Sequence, residues 1–293
     1  MDLKQMRYVV AVAETGNFTR AAERCYVVQS ALSHQIKALE RELGFELFAR
    51  TSRRVDITAA GAAFLPEARR ALDAAERAVA DAAAAIGEVR GRLVLGVIPT
   101  VTAVDVPAAL LAFRTAHPAV SVSLQVGGSD EFIAGIRDGV VDVGVLGLPS
   151  GDIPAGVRSR VLARDRHVAL VGGDHPLAGR RSIDLARLAD ETFVDFPTDT
   201  PGRAQSDRAF EAIGLTRDVA FEAMALDIIA ELVKSGLGIA LLPSAVAPKG
   251  EPGLATVALR RGPTRTEHLA RSAFNPSPAA DAFVGSISPG DPG

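Results

Sequence analysis

Residues 27–44 read VVQSALSHQIKALERELG. Leu32, Ile36, Leu39 and Leu43 recur three and four positions apart with Ala31 beside them, while Gln29, Ser33, His34 and Lys37 fall on the other side. That spacing predicts an amphipathic helix with one face on a core and one polar face. Gly44 follows as a helix stop. Such a polar face serves either an ordinary solvated surface or a groove of DNA, and the flanking sequence has to decide between them.

Upstream, LKQMRYVVAVAETG (3–16) carries Met6, Val9, Val10 and Ala13 at helical spacing, and Gly16 ends the run. Thr19 is placed to cap a short second helix, RAAERCY (20–26). Downstream, FELFARTSRRVDIT (45–58) alternates and is β-prone, which predicts a two-stranded wing with Arg50, Arg53 and Arg54 near its middle. Residues 1–58 hold nine Lys/Arg against seven Asp/Glu, whereas the remainder holds 23 against 28. A local basic spot on a mildly acidic chain suggests a bounded anionic partner; a solvated charged turn is the competing reading.

The stretch 58–90 is alanine-rich and helical. Leu65, Ala68, Leu72, Ala75, Val79, Ala82 and Ile86 follow alternating spacings of three and four, a heptad seam. The seam predicts a helix that pairs two chains, against the alternative of a long helix packed on its own domain. From residue 91 strand and helix signals alternate. RLVLGVIP (92–99), SVSLQVGG (121–128) and VDVGVLGL (141–148) read as strands around two helical stretches. After residue 150 the alternation resumes through RHVALVGG, FVDFP, DVAFEA and GIALLP. Two consecutive α/β halves predict two similar subdomains with mostly parallel sheets and a ligand cleft between them.

Catalytic signatures are missing. There is no G-x-S-x-G elbow and no phosphate loop, and GLGIAL (236–241) lacks the third glycine of a dinucleotide fingerprint. His34, His117, His167, His175 and His268 show no ligand pairing, so neither metal nor organic cofactor is implied. Cys25 is the single cysteine and cannot form an internal disulfide. No run of 18 apolar residues exists, and MDLKQMRYVV does not read as a secretory signal, so no membrane partner and a cytoplasmic location are expected.

The segment AVAETGNFTRAAERCYVVQSALSHQIKALERELGFELFARTSRRVDITAAG (11–61) closely resembles the winged helix-turn-helix of LysR-type transcriptional regulators. The similarity continues through the helix at 58–88, the two α/β subdomains and GLGIALLP (236–243). It implies a multidomain α/β chain. A winged helix-turn-helix occupies 1–58 and a linker and dimerisation helix 59–90. An effector domain of the periplasmic-binding-protein type occupies 91–275. Its two Rossmann-like subdomains span about 91–160 plus 266–293, and 161–265. The function implied is a regulator of transcription, not an enzyme, controlled by a small molecule held between the subdomains. Its implied partners are double-stranded DNA, itself as homodimer or homotetramer, the effector and RNA polymerase. A solute-binding or enzyme-like α/β protein with an added helical N-terminus is the rival.

The resemblance also assigns residues. Gln29, Ser30, Ser33, His34 and Lys37 would meet base edges and phosphates from the third helix, and Arg50, Arg53 and Arg54 would bring the wing to the DNA backbone or minor groove. The family pattern Ser-Gln-Pro is here Val28-Gln29-Ser30, so the usual cap serine is valine and Ser30 either takes over capping or contacts DNA. His34 stands where arginine is common. For the effector, Thr100 and Thr102, with nearby backbone N–H groups, would hold a carboxylate unless they cap the following helix. Gly128 and Ser129 face the same cleft, and Phe196, Thr198 and Met224 close it from the other half. A small, partly apolar organic acid is the ligand these positions suggest.

Overall fold

The computed structural model describes residues 1–50, 55–152, 154–198 and 200–287, and Arg53 and Arg54 lie outside the described residues. The chain divides into two compact units, Met1–Gly87 and Glu88–Gly293.

The first unit is helical with a small wing. Helix α1 (Leu3–Thr15) opens on a reciprocal capping box: Gln5 N donates to the Asp2 carboxylate at 2.8 Å, and the Gln5 amide oxygen accepts from Asp2 N at 3.1 Å. Its buried stripe runs through Gln5, Tyr8, Val9 and Val12 rather than through Met6, Val10 and Ala13, because α1 packs against three other helices of the unit and not one. Helix α2 (Phe18–Arg24) is capped by Asn17, whose side chain accepts from Thr19 N and Arg20 N; Thr19 lies already inside the helix. Helix α3 (Gln29–Leu43) ends on Gly44 at φ 82°, a left-handed stop that glycine adopts without a steric penalty. Its N-cap is Val28, which has no side-chain cap bond. Ser30 sits one residue inside the first turn and does not replace it.

Strands β1 (Phe48–Arg50) and β2 (Val55–Ile57) pair antiparallel as the wing. The Glu40 carboxylate of α3 accepts from Leu47 N at 2.9 Å and Phe48 N at 3.2 Å, which fixes the wing's entry to α3. Leu32, Ile36 and Leu39 are fully buried against Val9, Val12, Ala21, Leu47 and Phe48. Ala31, grouped with them on sequence, is exposed.

Helix α4 (Ala59–Ala84) is capped by Thr58. Pro66 lies inside it and leaves the Ala62 carbonyl without its regular donor. The helix stops two residues before Ile86, in a turn that ends on Gly87 at φ 83°, so the seam is helical from Leu65 to Ala82 and does not include Ile86.

The second unit is built on one eight-stranded mixed sheet. Its first half carries β3 (Gly91–Val97), α5 (Val106–Ala116), β4 (Val120–Val126), α6 (Ser129–Arg137) and β5 (Val143–Pro149). Strand β6 (Val157–Gly172) then crosses into the second half, which adds β7 (Ser182–Asp184), a 3-10 turn (Leu185–Leu188), β8 (Thr192–Asp195), α7 (Pro201–Glu211), β9 (Asp218–Glu222), α8 (Leu226–Lys234), β10 (Ala240–Pro243) and β11 (Leu254–Arg260). Strand β12 (Thr264–Ser272) returns to the first half, and α9 (Pro278–Ser286) covers it.

The sheet order is β4-β3-β5-β12-β6-β11-β7, with β10 also on β6. Strands β3, β4 and β5 run parallel, and β8 and β9 pair parallel as a separate two-stranded sheet. The sheet is nevertheless mixed rather than mostly parallel. β6 leaves the first half and β12 comes back to it, so these two strands must run opposed, and they pair antiparallel over nine registered positions. Strands β11 and β12 had no counterpart in the sequence pattern, since RTEHLARS mixes charges into the alternation. Leu93, Leu95, Val143, Val145 and Phe283 form one core face of the first half; Phe193, Phe210, Leu241 and Val257 do the same in the second. Among the described residues no helix is long and apolar enough to cross a membrane.

Candidate functional site

Two sites follow from this architecture. The first is the outer face of α3. Burial of Leu32, Ile36 and Leu39 turns Gln29, Ser30, His34 and Lys37 to solvent, while Ser33 is half-buried at the edge of that face. These are neutral or cationic groups, rich in hydrogen-bond donors, at the start of a helix. That combination suits base edges and phosphate oxygens. Arg50 is the last residue of β1. Sequence reasoning missed Tyr26 and Val28, both strongly exposed just before α3. Tyr26 takes a left-handed backbone, φ 55°, in the turn between α2 and α3.

The predicted dimerisation seam is divided. Ala68 is buried within its own unit, and Leu65, Leu72 and Ala75 are half-buried. Val79 and Ala82 are exposed, Val79 to 57%. Ile86 is exposed to 82%, beyond the helix end.

The second site is a cavity of about 50 Å³ between the two halves of the second unit. From the first half come Ile98, Pro99, Thr100, Gly128, Ser129 and Gly147; from the second, His167, Phe196, Thr200, Gln205 and Met224; β12 contributes Arg265. The structure therefore brings Thr100, Gly128, Ser129, Phe196 and Met224 together, as the resemblance implied. It does not bring Thr102 or Thr198 to the cavity. Thr198 donates instead to Glu222 at 2.9 Å.

Thr102 holds a carboxylate that belongs to the chain itself. Its hydroxyl donates to Glu267 Oε1 at 2.8 Å, and Thr102 N and Ala103 N donate to Oε2 at 3.2 and 3.0 Å. Glu267 also pairs with Arg265 at 2.6 Å, and both side chains are almost wholly buried. Arg265 further donates to Thr100 Oγ1 at 2.5 Å and to the Thr100 carbonyl at 2.7 Å, and among the described residues its Nε has no partner. Neither threonine caps the next helix; Asp105 does. The pair Arg265 and Glu267, two apart on one strand, thus organises the loop that lines the cavity.

Gly147 is the junction of the cavity wall. Ser129 Oγ both donates to its carbonyl and accepts from its N–H, and Gln205 Nε2 reaches the same carbonyl at 3.4 Å from the opposite half. A Cβ here would stand 2.7 Å from Ile98 Cδ1 and 3.4 Å from Arg265 Nη1, so a larger residue would have to displace the Ile98 side-chain end. Among the described residues the Gln205 Oε1 atom has no partner. His167 is buried; burial first, then the neighbouring Arg265 charge, lowers its pKa to about 4. The ring is therefore neutral at neutral pH. Its Nδ1 lies 3.3 Å from the Pro263 carbonyl, which can only accept, so Nε2 is left as an acceptor.

The cavity's second wall rests on a charged network. Arg217, buried over the Phe193 and Phe210 rings, pairs with Asp195 at 2.6 Å and Asp207 at 2.7 Å. Burial pushes the Asp195 carboxyl up, against the pull of Arg217. Arg203 pairs with Asp207 and Glu222 at 2.9 Å each, and so holds the first turn of α7 at the cavity. Phe196 is fixed through its N–H, 2.7 Å from Asp195 Oδ1.

Comparison with known proteins places both units of the chain in one family. Residues 3–62 match the family described as bacterial regulatory helix-turn-helix protein, lysR family, and residues 87–289 match the LysR substrate binding domain. The HTH-type transcriptional regulator TfdS of Cupriavidus pinatubonensis (strain JMP 134 / LMG 1197) is 35% identical over 88% of this chain and 87% of its own length. The HTH-type transcriptional regulator IlvR of Caulobacter vibrioides is 35% identical over 88% of each. Full-length CbnR in complex with its target DNA shares the fold with a TM-score of 0.70 and 28% identity, over 98% of this chain and 99% of that one.

Proposed function

This chain belongs to the LysR family of transcriptional regulators, and from that premise we propose which of its residues do the work. It is a DNA-binding regulator with an effector domain, not an enzyme. Members of the family bind DNA, oligomerise and respond to small molecules. The rival of a solute-binding or enzyme-like protein is not favoured, because both parts of the chain match regulator domains.

The exposed stripe Gln29, Ser30, His34 and Lys37 carries the DNA reading. In this proposal the N-terminal half of α3 enters a major groove, with Gln29 opposite an adenine edge and Lys37 at a phosphate. Ser33 works from the edge of the stripe. Arg50, Arg53 and Arg54 act from the wing. The exposed end of the α4 seam, Val79 and Ala82, joins two chains and sets the spacing of two half-sites. Residues 1–58 act as the DNA-binding domain, 59–90 as the linker, and the remainder as the effector domain. The cytoplasm is the working compartment, and RNA polymerase is a contact of the DNA-bound oligomer.

The cavity beneath Arg265 and Gln205 is the effector site in this reading, supported by the unpartnered Arg265 Nε and Gln205 Oε1 beside an apolar wall. Occupancy shifts the oligomer only if the ligand binds its two arrangements unequally. The organic acid suggested by sequence relied on Thr100, Thr102 and nearby N–H groups; Thr102 and the Thr102 and Ala103 N–H groups are taken by Glu267, and Thr100 accepts from Arg265.

Footprinting on the DNA upstream of the gene, at low and moderate salt, is the test. Saturable protection of a pseudo-palindrome, altered by an added metabolite pool, is expected. Lack of protection at every salt would contradict the assignment of that DNA as operator. Identical binding by an Arg53→Ala, Arg54→Ala double variant would remove the wing from the proposal.

A further inference from the structure

Resting on the reading of this cavity as the effector site, we infer that its ligand is uncharged and presents a hydrogen-bond acceptor next to a donor, as a primary amide does. The cations around the cavity are already matched. Arg265 is paired with Glu267 on its own strand. Asp165, at the crossing of β6, adds a second carboxylate that acts on Arg265; burial pushes its pKa up, and bonds from Ser244, Ala245 and Arg166 outweigh that and hold it ionised. Arg217 and Arg203 behind the α7 wall share Asp195, Asp207 and Glu222. The N-terminus of α6 carries Asp130 and Glu131 in its first turn, which offset its dipole. The α7 N-terminus remains, but a helix end supplies only about half a unit charge. A carboxylate entering here would be desolvated with no uncompensated cation among the described residues to receive it.

The groups left over are neutral in sum and mixed in kind. Arg265 Nε is a buried donor without a partner, and the Thr100 hydroxyl, which accepts from Arg265, keeps its own proton to donate. Gln205 Oε1 is a buried acceptor without a partner, and His167 Nε2 is a second acceptor. An acceptor alone satisfies half of this set, and an anion clashes with the other half. A carbonyl beside an N–H satisfies both sides, while Ile98, Phe196 and Met224 receive an apolar remainder.

Three isosteric probes separate the possibilities: propionamide (acceptor and donors), butanone (acceptor only) and propionate (anion). Each is titrated into the full-length protein and followed by ligand-observed NMR, with Gly128→Leu as the variant that fills the cavity. Propionamide is expected to bind most tightly and propionate at least about tenfold more weakly, with every signal lost in the Gly128→Leu protein. Glu267→Gln keeps an acceptor for Thr102 and Ala103 but frees the Arg265 charge, and it should reverse the order in favour of propionate. Gln205→Leu is the second variant: it should weaken propionamide and leave butanone unchanged. Propionate as the tightest ligand of the parent overturns the inference, and so does absence of binding by all three. DNA protection measured without probes is independent of these results, so a protein that still footprints while preferring the acid loses this inference and keeps its function.

Discussion

The two units put polar side chains to opposite uses. On α3, Gln29, Ser30, His34 and Lys37 point to solvent above a fully apolar helix face. Around the cavity of the second unit, His167 and Arg265, with Glu267 paired behind it, are buried and draw their partners from distant parts of the chain, 165 residues away for Arg265 with Thr100. The first arrangement leaves chemistry unsatisfied until a highly charged partner arrives. The second is internally compensated and tolerates only a ligand that fits what remains. Polar residues here thus divide by burial: in the proposed reading the exposed ones meet an external polyanion, and the buried ones fix a shape.

That contrast is open to breakage at several points. The largest effect belongs to the buried pair. Arg265→Met alone or Glu267→Leu alone should destabilise the effector unit by about 3–5 kcal/mol in urea unfolding, because each strands the other charge, whereas the double variant should recover much of the loss. Equal stability of the single variants would mean that the pair is not compensated as described. Next comes His167. Its folded pKa of about 4 lies below the ordinary histidine value of 6.5, so the unfolded chain binds more protons between them. Stability tied to this ring is complete above pH 6.5 and falls as pH drops towards 4, by up to about 3 kcal/mol. His167→Gln should flatten that part of the stability–pH curve; an unchanged slope would assign the pH dependence elsewhere.

Smaller effects sharpen the other side of the comparison. Asn17→Ala should cost the first unit about 1 kcal/mol through loss of the α2 cap, and Thr19→Ala should cost less, since Thr19 only donates its backbone N–H to that cap. The reverse order would restore Thr19 as the capping residue. Smallest in stability is the outer face of α3. Replacing Gln29, His34 and Lys37 together by alanine should leave the thermal midpoint of the first unit unchanged, because none of them packs in its core.

Legibility in the sequence followed the same division. The helices of the first unit declare themselves locally. Apolar spacing places Leu32, Ile36 and Leu39 inside, and Gly16 and Gly44 mark the stops where the structure has left-handed residues. Errors there were small and local: a cap moved from Thr19 to Asn17, and Ala31 turned outwards. The cavity was half legible. Thr100, Gly128, Ser129, Phe196 and Met224 sit at strand ends and loop starts, where an α/β sheet places its ligand site. Arg265 and Glu267 were not found, because nothing local reveals that a strand written T-R-T-E-H is central and buried. Their partners are set by the return of the chain after the second half, a long-range event.

The most direct test of the account is a DNA-binding titration of the Gln29, His34, Lys37 triple-alanine protein beside the parent, on the footprinted fragment and over a range of salt. The account predicts loss of specific protection with unchanged folding, and a slope of log K against log salt reduced by about one for the Lys37 phosphate contact. A triple variant that protects the same site with the parent's affinity and slope would contradict it, and would move DNA reading away from the exposed face of α3.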